Sequence, residues 1–360
     1  MKKTLRFTTI LVAVCFLMPN LHAQKTEGAK PKAKEYHAWW NDQNPGQPLK
    51  SPLAKKLPLI QVKGNKFVDP EGCIVLFRGL SISDPDKIEN QGRWSRKHFE
   101  RVKDTGAIVI RIPVHPVAWR ERTPAKYLEL LDQAVGWCTE LGIYVMIDWH
   151  TIGNLKAGLF QDPMYETSQA ETYNFWRMIA RHFSGHNTVA FYELFNEPTV
   201  FSGQLGQATW SEWKAMNEEM IALIRSFDKE TVVLVAGFDW AYDLTPVLYE
   251  PVKAEGIGYV THPYSFKRPQ PWEPQWEKDF GFAADQYPVV ATEFGFQAEK
   301  GKTLAEDEYG PRIIRYLEGK GISWVAWVFD PEWWPQMISS WETYEPTGSG
   351  AFFKKAMMGK

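Results

Sequence analysis

The sequence predicts an α/β fold, a (β/α)8 TIM barrel in which eight parallel strands alternate with helices. The 360 residues are 44% hydrophobic, which is enough for one large core, and a barrel of about 250–300 residues would use most of them. Short runs rich in β-branched residues alternate with longer amphipathic segments, as they do where helices join parallel strands. The first strand ends in Arg78-Gly79-Leu80-Ser81 rather than in a nucleotide-binding glycine loop, which favours a closed barrel over an open sheet.

Eight segments have the length and composition of buried strands, one for each unit of the barrel. A hairpin is predicted before them, because residues 59–62 and 66–68 flank the turn pair Gly64-Asn65, and it would close the bottom of the barrel. The eight strand segments are residues 74–80, 107–113, 144–149, 189–195, 231–236, 258–262, 289–294 and 322–328.

The second helix shows how the ends of an element are encoded. Thr123 suits the N-cap, Pro124 suits the first helical position, and Gly142 ends the helix before the next strand. Apolar residues recur between these ends at spacings of three and four, as on the buried face of a helix. They are Leu131, Ala134, Cys138 and Leu141.

The N-terminal residues indicate export. Three basic residues precede an apolar run over residues 7–18, and a small residue, Ala23, follows. This pattern is typical of a secretory signal peptide, and the run is too short to span a bilayer. Lipid attachment at Cys15 is the alternative, although Val14 stands where a small residue is wanted. The basic residues are Lys2, Lys3 and Arg6.

We predict a signal peptide over residues 1–23, a flexible tether over 24–57 and one catalytic domain over 58–360. The protein would be secreted or periplasmic, monomeric, and free of the membrane after cleavage. The mature chain has 38 basic and 43 acidic residues, a formal charge of about −5, which disfavours nucleic acid as a partner. We expect Cys73 and Cys138 to be two separate buried thiols rather than a disulfide, because Cys138 falls within a helix.

Tryptophan is unusually frequent in this chain. There are 17 Trp residues in an aromatic content of 14%, more than one core needs, since an indole N–H is awkward to bury. Exposed Trp rings suit the apolar faces of pyranose sugars. We expect about half of the Trp residues in and around the loops after the strands to line a groove and the rest to anchor those loops. These residues are Trp119, Trp149, Trp240, Trp272, Trp333, Trp334 and Trp341.

Two carboxylates stand at the ends of predicted strands. Glu197 follows the fourth strand in Asn196-Glu197-Pro198, and Glu293 ends the seventh in Thr292-Glu293-Phe294. The C-terminal ends of barrel strands meet at one mouth, so both carboxylates would face the same cavity. Glycosidic bond cleavage needs two carboxyls in different protonation states. Because the two strands face each other across the mouth, we expect a separation of about 5 Å, which favours retention over inversion.

With these motifs the chain resembles glycoside hydrolase family 5, from about Pro58 to the C-terminus. The family places its acid/base at the Glu of Asn-Glu-Pro, here Glu197, and its nucleophile at the position of Glu293. The other polar positions of the family also occur here in order. They are Arg111, His150, Asn196, His262, Tyr264 and Trp327.

The resemblance implies a role for each of these residues. Arg111 and Tyr264 would hydrogen-bond the nucleophile and keep it ionised. Asn196 would hold the sugar hydroxyl next to the reacting carbon, and Trp327 would form the floor of the cleavage subsite. The two histidines would contact the sugar or orient the carboxyls. The resemblance implies no cofactor and no metal, and it favours internal β-1,4 linkages of a glucan as the substrate, with mannan, mixed-linkage glucan and xyloglucan as alternatives.

Two other interpretations stay open. His150 and His262 each end a strand, as zinc ligands do in barrel metallohydrolases, but the first strand lacks a His-x-His pair. A noncatalytic carbohydrate-binding barrel would keep the aromatic groove, although the carboxylate pair and its supporting residues disfavour it. Glu193, within the fourth strand, is interpreted as a buried partner in a polar network, and neither it nor Asp148 is assigned to catalysis. His115 could line the cleft.

Overall fold

The computed structural model describes residues 57–199 and 205–359. The predicted signal peptide, and the tether except for Leu57, lie outside the described residues. The strands are β1 Gln61–Lys63, β2 Lys66–Val68, β3 Arg78–Ser81, β4 Val109–Val114, β5 Tyr144–Trp149, β6 Ile152–Asn154, β7 Leu159–Phe160, β8 Val189–Glu193, β9 Glu197–Pro198, β10 Val232–Ala236, β11 Ile257–Thr261, β12 Val289–Phe294 and β13 Ser323–Ala326.

Helices connect these strands over the outside of the molecule. The helical segments are α1 Pro85–Asn90, α2 Arg96–Lys103, α3 Pro116–Arg122, α4 Pro124–Leu141, α5 Gln169–Phe183, α6 Trp210–Arg225, α7 Phe238–Ala241, α8 Trp272–Asp279, α9 Tyr309–Gly319 and α10 Gly348–Met357. Among the described residues, no helix has both the length and the apolar character needed to cross a membrane.

The predicted barrel is confirmed. Eight strands close into a ring in the order β10-β11-β12-β13-β3-β4-β5-β8, every neighbouring pair is parallel, and β13 pairs with β3 to complete the ring. Each of the eight predicted segments overlaps one of these strands, although β3, β4 and β11 each extend one residue beyond the predicted bounds. One large core lies between the barrel and its helices, and a smaller one fills the interior of the barrel.

The hairpin lies where the sequence predicts it. β1 and β2 pair antiparallel around Gly64, which has φ +61°, a conformation that glycine adopts without strain. Phe67 of this hairpin packs edge-on against Phe77 and Phe191, with ring centroids 6.0 and 5.1 Å apart. The hairpin therefore closes the interior core at the end of the barrel opposite the C-terminal ends of the strands. Burying one such ring contributes about 1.5–3 kcal/mol to the stability of the fold.

Helix α4 begins at Pro124 and ends before Gly142, as predicted, with Gly142 in the left-handed conformation at φ 69°. The N-cap expectation is wrong in its chemistry. Thr123 occupies the N-cap position, but its φ of 72° lies outside the extended conformation that capping residues adopt, and its side chain makes no capping hydrogen bond. The start of α4 is therefore determined by Pro124 and by the buried apolar face.

The first predicted strand begins four residues too early. β3 starts at Arg78, and Ile74 makes only a single bridge to Val68, with 67% of its surface exposed. Cys73 lies in this outer segment and is exposed, so the expectation of a buried thiol at this position is wrong. Cys138 is buried, and the two cysteines form no disulfide with each other.

A buried histidine packs beside the long segment that follows β13. His98 of α2 is fully buried, and neither ring nitrogen has a hydrogen-bond partner among the described residues. Burial lowers its pKa to about 4, although the charge of Asp330 acts in the opposite direction. Four aromatic rings lie with centroids 5.5–5.8 Å from its own. They belong to Phe99, Phe329, Trp341 and Tyr344.

We expect His98 to weaken the fold in acid. Its pKa is about 4 when folded, against an ordinary value of 6.5 for histidine, so the unfolded chain binds the proton first as the pH falls. The free energy of unfolding should therefore decrease from about pH 6.5 down to about pH 4, by about 3 kcal/mol in total. Thermal unfolding at pH 7 and pH 4.5 should show a smaller acid loss for His98→Leu than for the wild type. Equal losses in both proteins would contradict this expectation.

Candidate active site

The two candidate catalytic carboxylates lie at the mouth of the barrel. Glu293 is on β12, and Glu197 is on β9, a two-residue strand just beyond β8. The chain leaves the barrel at Leu194 because β9 pairs with β6 rather than with a barrel strand, with Ile152 opposite Glu197. The side chains of Glu197 and Glu293 are only 10% and 9% exposed. Both carboxylates are thus held on regular backbone and shielded from most of the solvent.

The two carboxyl groups are close to each other. Carboxylate oxygens of Glu197 and Glu293, together with a ring nitrogen of His262, all lie within 4.8 Å of one another. In glycosidases, carboxyl groups about 5–5.5 Å apart are typical of the retaining mechanism, and about 6.5–9.5 Å of the inverting one. The separation of these oxygens is thus nearer to the retaining spacing than to the inverting one.

Arg111 connects several of the predicted site residues. From β4 its Nη1 donates to Glu293 Oε2 over 3.1 Å, and its Nη2 donates to Asn196 Oδ1 over 2.6 Å. The same guanidinium bonds both oxygens of Glu193, at 2.7 and 3.1 Å, and lies 3.0 Å from Asp148 Oδ2. Arg111, Glu193 and Asp148 are fully buried. Removing Arg111 would leave these buried carboxylates uncompensated, at a cost of about 3–5 kcal/mol.

Each of the two carboxylate oxygens of Glu293 accepts a hydrogen bond. Tyr264 donates its hydroxyl to Oε1 over 2.9 Å, opposite the bond from Arg111 to Oε2. Burial raises the pKa of Glu293 above its ordinary value and the charge of Glu197 adds to this effect, whereas His262, Arg111 and the Tyr264 hydroxyl act in the opposite direction. Because Arg111 and Tyr264 both donate to Glu293, their hydrogen bonds stabilise a negative charge on this carboxyl.

His262 joins the acid/base candidate to the interior of the barrel. Its Nδ1 lies 2.9 Å from Glu197 Oε1 and its Nε2 lies 3.0 Å from Thr292 Oγ1, which donates in turn to Glu193 Oε1 over 2.8 Å. Burial alone would lower the pKa of His262, but the carboxylates of Glu293, Glu193 and Glu197 raise it. For Glu193, burial is outweighed by Arg111 and His262, and its pKa falls to about 2. This chain of bonds can hold a proton next to Glu197.

His150 lies on the opposite side of the mouth. Its Nδ1 is 2.6 Å from Asp148 Oδ2, and its ring lies parallel to that of Trp327, with 5.4 Å between centroids and 6° between planes. Burial lowers the pKa of His150 well below its ordinary value, and the charges of His115 and Arg111 act in the same direction. The ring is therefore neutral, and its bond through Nδ1 leaves Nε2 available to a ligand.

Asn196 has one unused donor. Its Oδ1 accepts from Arg111, which orients the amide, while Nδ2 has no hydrogen-bond partner among the described residues. The side chain is 1% exposed, and a buried amide donor without a partner is uncommon in a folded protein. A sugar hydroxyl next to the reacting carbon would satisfy it.

These residues surround a large open cleft. Its volume is about 830 Å³, within the range of ligand-binding cavities. Glu197, Glu293, His150 and Tyr264 face it together with His115. The other lining residues include six aromatic rings, which a sugar chain could contact. These rings belong to Tyr165, Trp240, Phe266, Trp327, Trp333 and Trp334.

The seven tryptophans expected in and around the loops after the strands divide into two groups. Trp240, Trp333 and Trp334 line the cleft with Trp327. The other four are buried and anchor helices or loops, of which Trp149 stacks on Phe175 with 4.1 Å between centroids. These four are Trp119, Trp149, Trp272 and Trp341. The sequence cannot separate the groups, because the same ring suits a core and a sugar.

Trp240 is presented by an unusual turn. Asp239, Trp240 and Ala241 of α7 have φ of 57°, 55° and 57°, a left-handed conformation that costs L-residues about 1–2 kcal/mol each. Phe238 and Asp243 close the turn with two backbone hydrogen bonds of 3.0 and 2.9 Å. Such strain tends to occur at functional sites, where surrounding contacts maintain it. The turn packs directly against β9, which carries the acid/base candidate.

Several cleft residues were not anticipated from the sequence. Gln161, Tyr165 and Lys267 line the cleft from irregular loops, where no periodicity indicates which side chains point inward. Thr292, next to Glu293 in the chain, carries no predicted role, yet it links His262 to Glu193. The register of β12 against β13 shifts between Ala291 and Phe294, and simple alternation along the strand does not predict such an irregularity.

One group of side chains in the described part of the chain has spacing suitable for a metal ion. It consists of Glu197, His262 and Glu293, and therefore coincides with the carboxylate pair. Two carboxylates and an imidazole could bind a divalent cation. An ion there would occupy the oxygens that the retaining mechanism uses, so the two uses of this site exclude each other.

Comparisons with known proteins agree with this geometry. Residues 68–332 match the family described as cellulase, glycosyl hydrolase family 5. The chain belongs to this family. The structure of the β-glucanase SdGluc5_26A from Saccharophagus degradans shares 43% identity, with a TM-score of 0.83, and covers 89% of this chain and 98% of its own.

Two curated relatives are more distant. Endoglucanase E-5 of Thermobifida fusca is 26% identical over 298 residues, which are 80% of this chain and 59% of the relative. Endoglucanase A of Butyrivibrio fibrisolvens is 29% identical over 214 residues, 57% of this chain and 45% of the relative. The chain thus spans about half the length of these two curated relatives.

Proposed function

We propose that this protein is a retaining glycoside hydrolase that cleaves internal β-1,4 linkages of a glucan. The observation that carries the proposal is the distance of at most 4.8 Å between carboxylate oxygens of Glu197 and Glu293. That spacing leaves no room for a water between carboxylate and sugar, and it suits attack by the carboxylate itself.

The mechanism is a double displacement. Glu293 attacks the anomeric carbon, the glycosidic C–O bond breaks, and Glu197 gives its proton to the leaving oxygen. A covalent glycosyl-enzyme remains on Glu293. Glu197, now a carboxylate, removes a proton from water, whose oxygen attacks the same carbon and releases Glu293. Two inversions at one carbon produce net retention.

The neighbours of each carboxyl support this division of roles. Glu293 accepts hydrogen bonds from a permanent cation, Arg111, and from Tyr264, so the negative charge belongs on it. Glu197 has His262 at 2.9 Å, and this imidazole can share a proton with it in both steps. Asn196, with its unused donor, would bind the sugar hydroxyl beside the reacting carbon, and Trp327 would form the floor under that sugar.

The substrate class follows from the cleft and from the relatives. An open groove lined by aromatic rings suits a long, unbranched glycan chain. The 43% identical β-glucanase has been crystallised in complex with cellotetraose, which supports a β-glucan for this chain. Mannan, mixed-linkage glucan and xyloglucan are the alternatives within the same chemistry. A secreted or periplasmic location, by the signal peptide predicted over residues 1–23, would bring a monomeric enzyme to its polymer.

The proposal is tested by the configuration of the first product. When cellotetraose is hydrolysed in an NMR tube, we expect the β-anomer to appear first and the α-anomer only later, by mutarotation. Initial α-anomer would contradict retention. Release of reducing ends from carboxymethylcellulose, mixed-linkage glucan, glucomannan and xyloglucan identifies the preferred polymer. Binding of these polymers without any cleavage would favour the noncatalytic alternative, and a rate abolished by a chelator and restored by zinc would favour the metal-dependent one.

A further inference from the structure

A buried ion pair lies behind one tryptophan of the cleft. Lys87 of α1 places its Nζ 2.5 Å from Asp330 Oδ2, and the two side chains are 18% and 0% exposed. Ser83 donates to the same carboxylate oxygen over 2.6 Å. The ammonium also lies 5.0 Å from the centroid of the Trp333 ring and 5.6 Å from that of Trp341. Lys87 is therefore held between a carboxylate and two aromatic rings, each of which attracts a cation.

Asp330 also fixes the backbone that carries the Trp333 ring. Its Oδ1 accepts hydrogen bonds from the amides of Glu332 and Trp333, over 2.6 and 2.9 Å. The Glu332 side chain lies 3.0 Å from Lys87 Nζ but is 52% exposed, so this second ion pair contributes little. Trp333 is thus fixed twice, through its backbone by Asp330 and through its ring by Lys87.

The place of Trp333 around the barrel defines which sugars it meets. Trp333 follows β13, which lies directly opposite β8 in the ring of eight strands, and β8 leads to Glu197. The acid protonates the oxygen of the departing sugar, so the departing part of the glycan lies on the Glu197 side of the reacting carbon. Trp333 is therefore on the side of the sugars that stay attached to Glu293.

Trp333 continues a row of rings that begins at Trp327. The two rings are nearly parallel, with 5.8 Å between centroids and 18° between planes, and both line the cleft. His115 contacts Trp333 edge-on, with 5.6 Å between centroids. Trp327 is the proposed floor under the sugar that contains the reacting carbon. Trp333 lies one ring further along and would contact the next retained sugar.

We propose that Lys87 is a positioning residue, which together with Asp330 holds the Trp333 ring in the orientation that contacts the second retained sugar. The inference rests on the proposed function and assigns the ion pair that prepares this ring for the glycan. Lys87 does not itself line the cleft, so it acts through Trp333. If the ion pair only stabilised the fold, its loss would affect substrates of every length alike.

The test compares two substrates that share a leaving group and differ in the retained part. β-Glucosyl fluoride has one retained sugar and β-cellobiosyl fluoride has two, so the ratio of their kcat/KM values measures the contribution of the second sugar. We expect Lys87→Met to lower this ratio by about threefold to tenfold, as the loss of a cation beside an aromatic ring predicts. The value for the glucosyl fluoride should stay within about twofold. As a matched control, Lys97→Met removes an exposed lysine of α2 and should leave the ratio unchanged.

Two further variants separate positioning from general stability. Lys87→Arg keeps a cation beside the ring and a partner for Asp330, so it should restore most of the ratio. In a Trp333→Ala background, Lys87→Met should cause no further loss in the ratio, because no ring remains to be positioned. If Lys87→Met does not fold, Lys87→Gln, which keeps a hydrogen-bond donor but no charge, is measured in the same way.

The outcomes separate this inference from the proposed function. The positioning role is overturned, and the hydrolase left intact, by a wild-type ratio near one, by an unchanged ratio in Lys87→Met, or by an equal loss on both fluorides. A loss of the same size in the Trp333→Ala background also overturns it. A wild-type protein that cleaves neither the fluorides nor cellotetraose overturns the proposed function, and the positioning role falls with it.

Discussion

Glu293→Ala is expected to lower kcat/KM for cellotetraose by at least about 10⁴-fold, because loss of a nucleophile removes the covalent route altogether. Azide should restore part of the rate, since the space left by the carboxylate at the mouth admits a small anion. The product should be the α-glycosyl azide, formed by one inversion at the anomeric carbon. Initial rates and NMR of the azide adduct measure both effects.

The fold should survive this substitution. Arg111 keeps its bonds to Glu193 and its contact with Asp148 when Glu293 is removed, and repulsion between Glu293 and Glu197 disappears, so the Tm should stay the same or rise. Glu299→Ala provides the control, because Glu299 is an exposed carboxylate close in the chain and should leave the rate unchanged. Activity above a tenth of the wild type in Glu293→Ala, or a β-azide, would rule out Glu293 as the nucleophile.

Glu197→Ala should have an effect that depends on the leaving group. For cellotetraose, which needs protonation, we expect a loss of about 10²–10⁴-fold, the usual contribution of a general acid. For β-cellobiosyl fluoride the first step should survive and the second should become slow, so that the glycosyl-enzyme accumulates and a burst of fluoride precedes the steady state. Stopped-flow measurement of fluoride release detects the burst, and mass spectrometry of the intact protein detects the accumulated glycosyl-enzyme.

Azide distinguishes the two carboxyls by stereochemistry. In Glu197→Ala it should attack the accumulated glycosyl-enzyme and give the β-glycosyl azide, the opposite anomer from that of Glu293→Ala. Equal losses on both substrates, or an α-azide from Glu197→Ala, would contradict the acid/base assignment. The pair of variants therefore tests both roles with one reagent.

The buried network explains why one arginine is so central to this site. Arg111 contacts Glu293, Glu193 and Asp148 at once, and burial without it would favour neutral carboxyls. Burial raises the pKa of Asp148 well above its ordinary value even though the Arg111 charge opposes this. The Arg111 guanidinium therefore stabilises negative charge on Glu193 and Glu293, to which it donates hydrogen bonds. Glu193 in turn lies beside His262, whose other ring nitrogen contacts Glu197. The site functions as one electrostatic unit.

Much of the architecture could be predicted from the sequence because it depends on local signals. The barrel strands are continuous apolar runs, Pro124 and Gly142 delimit α4, and the turn pair at Gly64 defines the hairpin. Burial on both faces of a parallel strand requires an apolar residue at every position, and the exceptions, such as Glu193 and Arg111, are therefore conspicuous. Errors arose where the chain leaves regular structure: Cys73 proved exposed, and Thr123 does not cap its helix.

The sequence by itself determined that eight parallel strands would form a barrel and that Glu197 and Glu293 would stand at its mouth, because strand periodicity and strand ends are properties of neighbouring residues. Only the tertiary structure decided that their oxygens lie within 4.8 Å, and that Thr292 links His262 to Glu193. It alone decided that Lys87 lies between Asp330 and the Trp333 ring. Distances between strands far apart in the chain depend on barrel closure and on strained loops, and no local pattern encodes either.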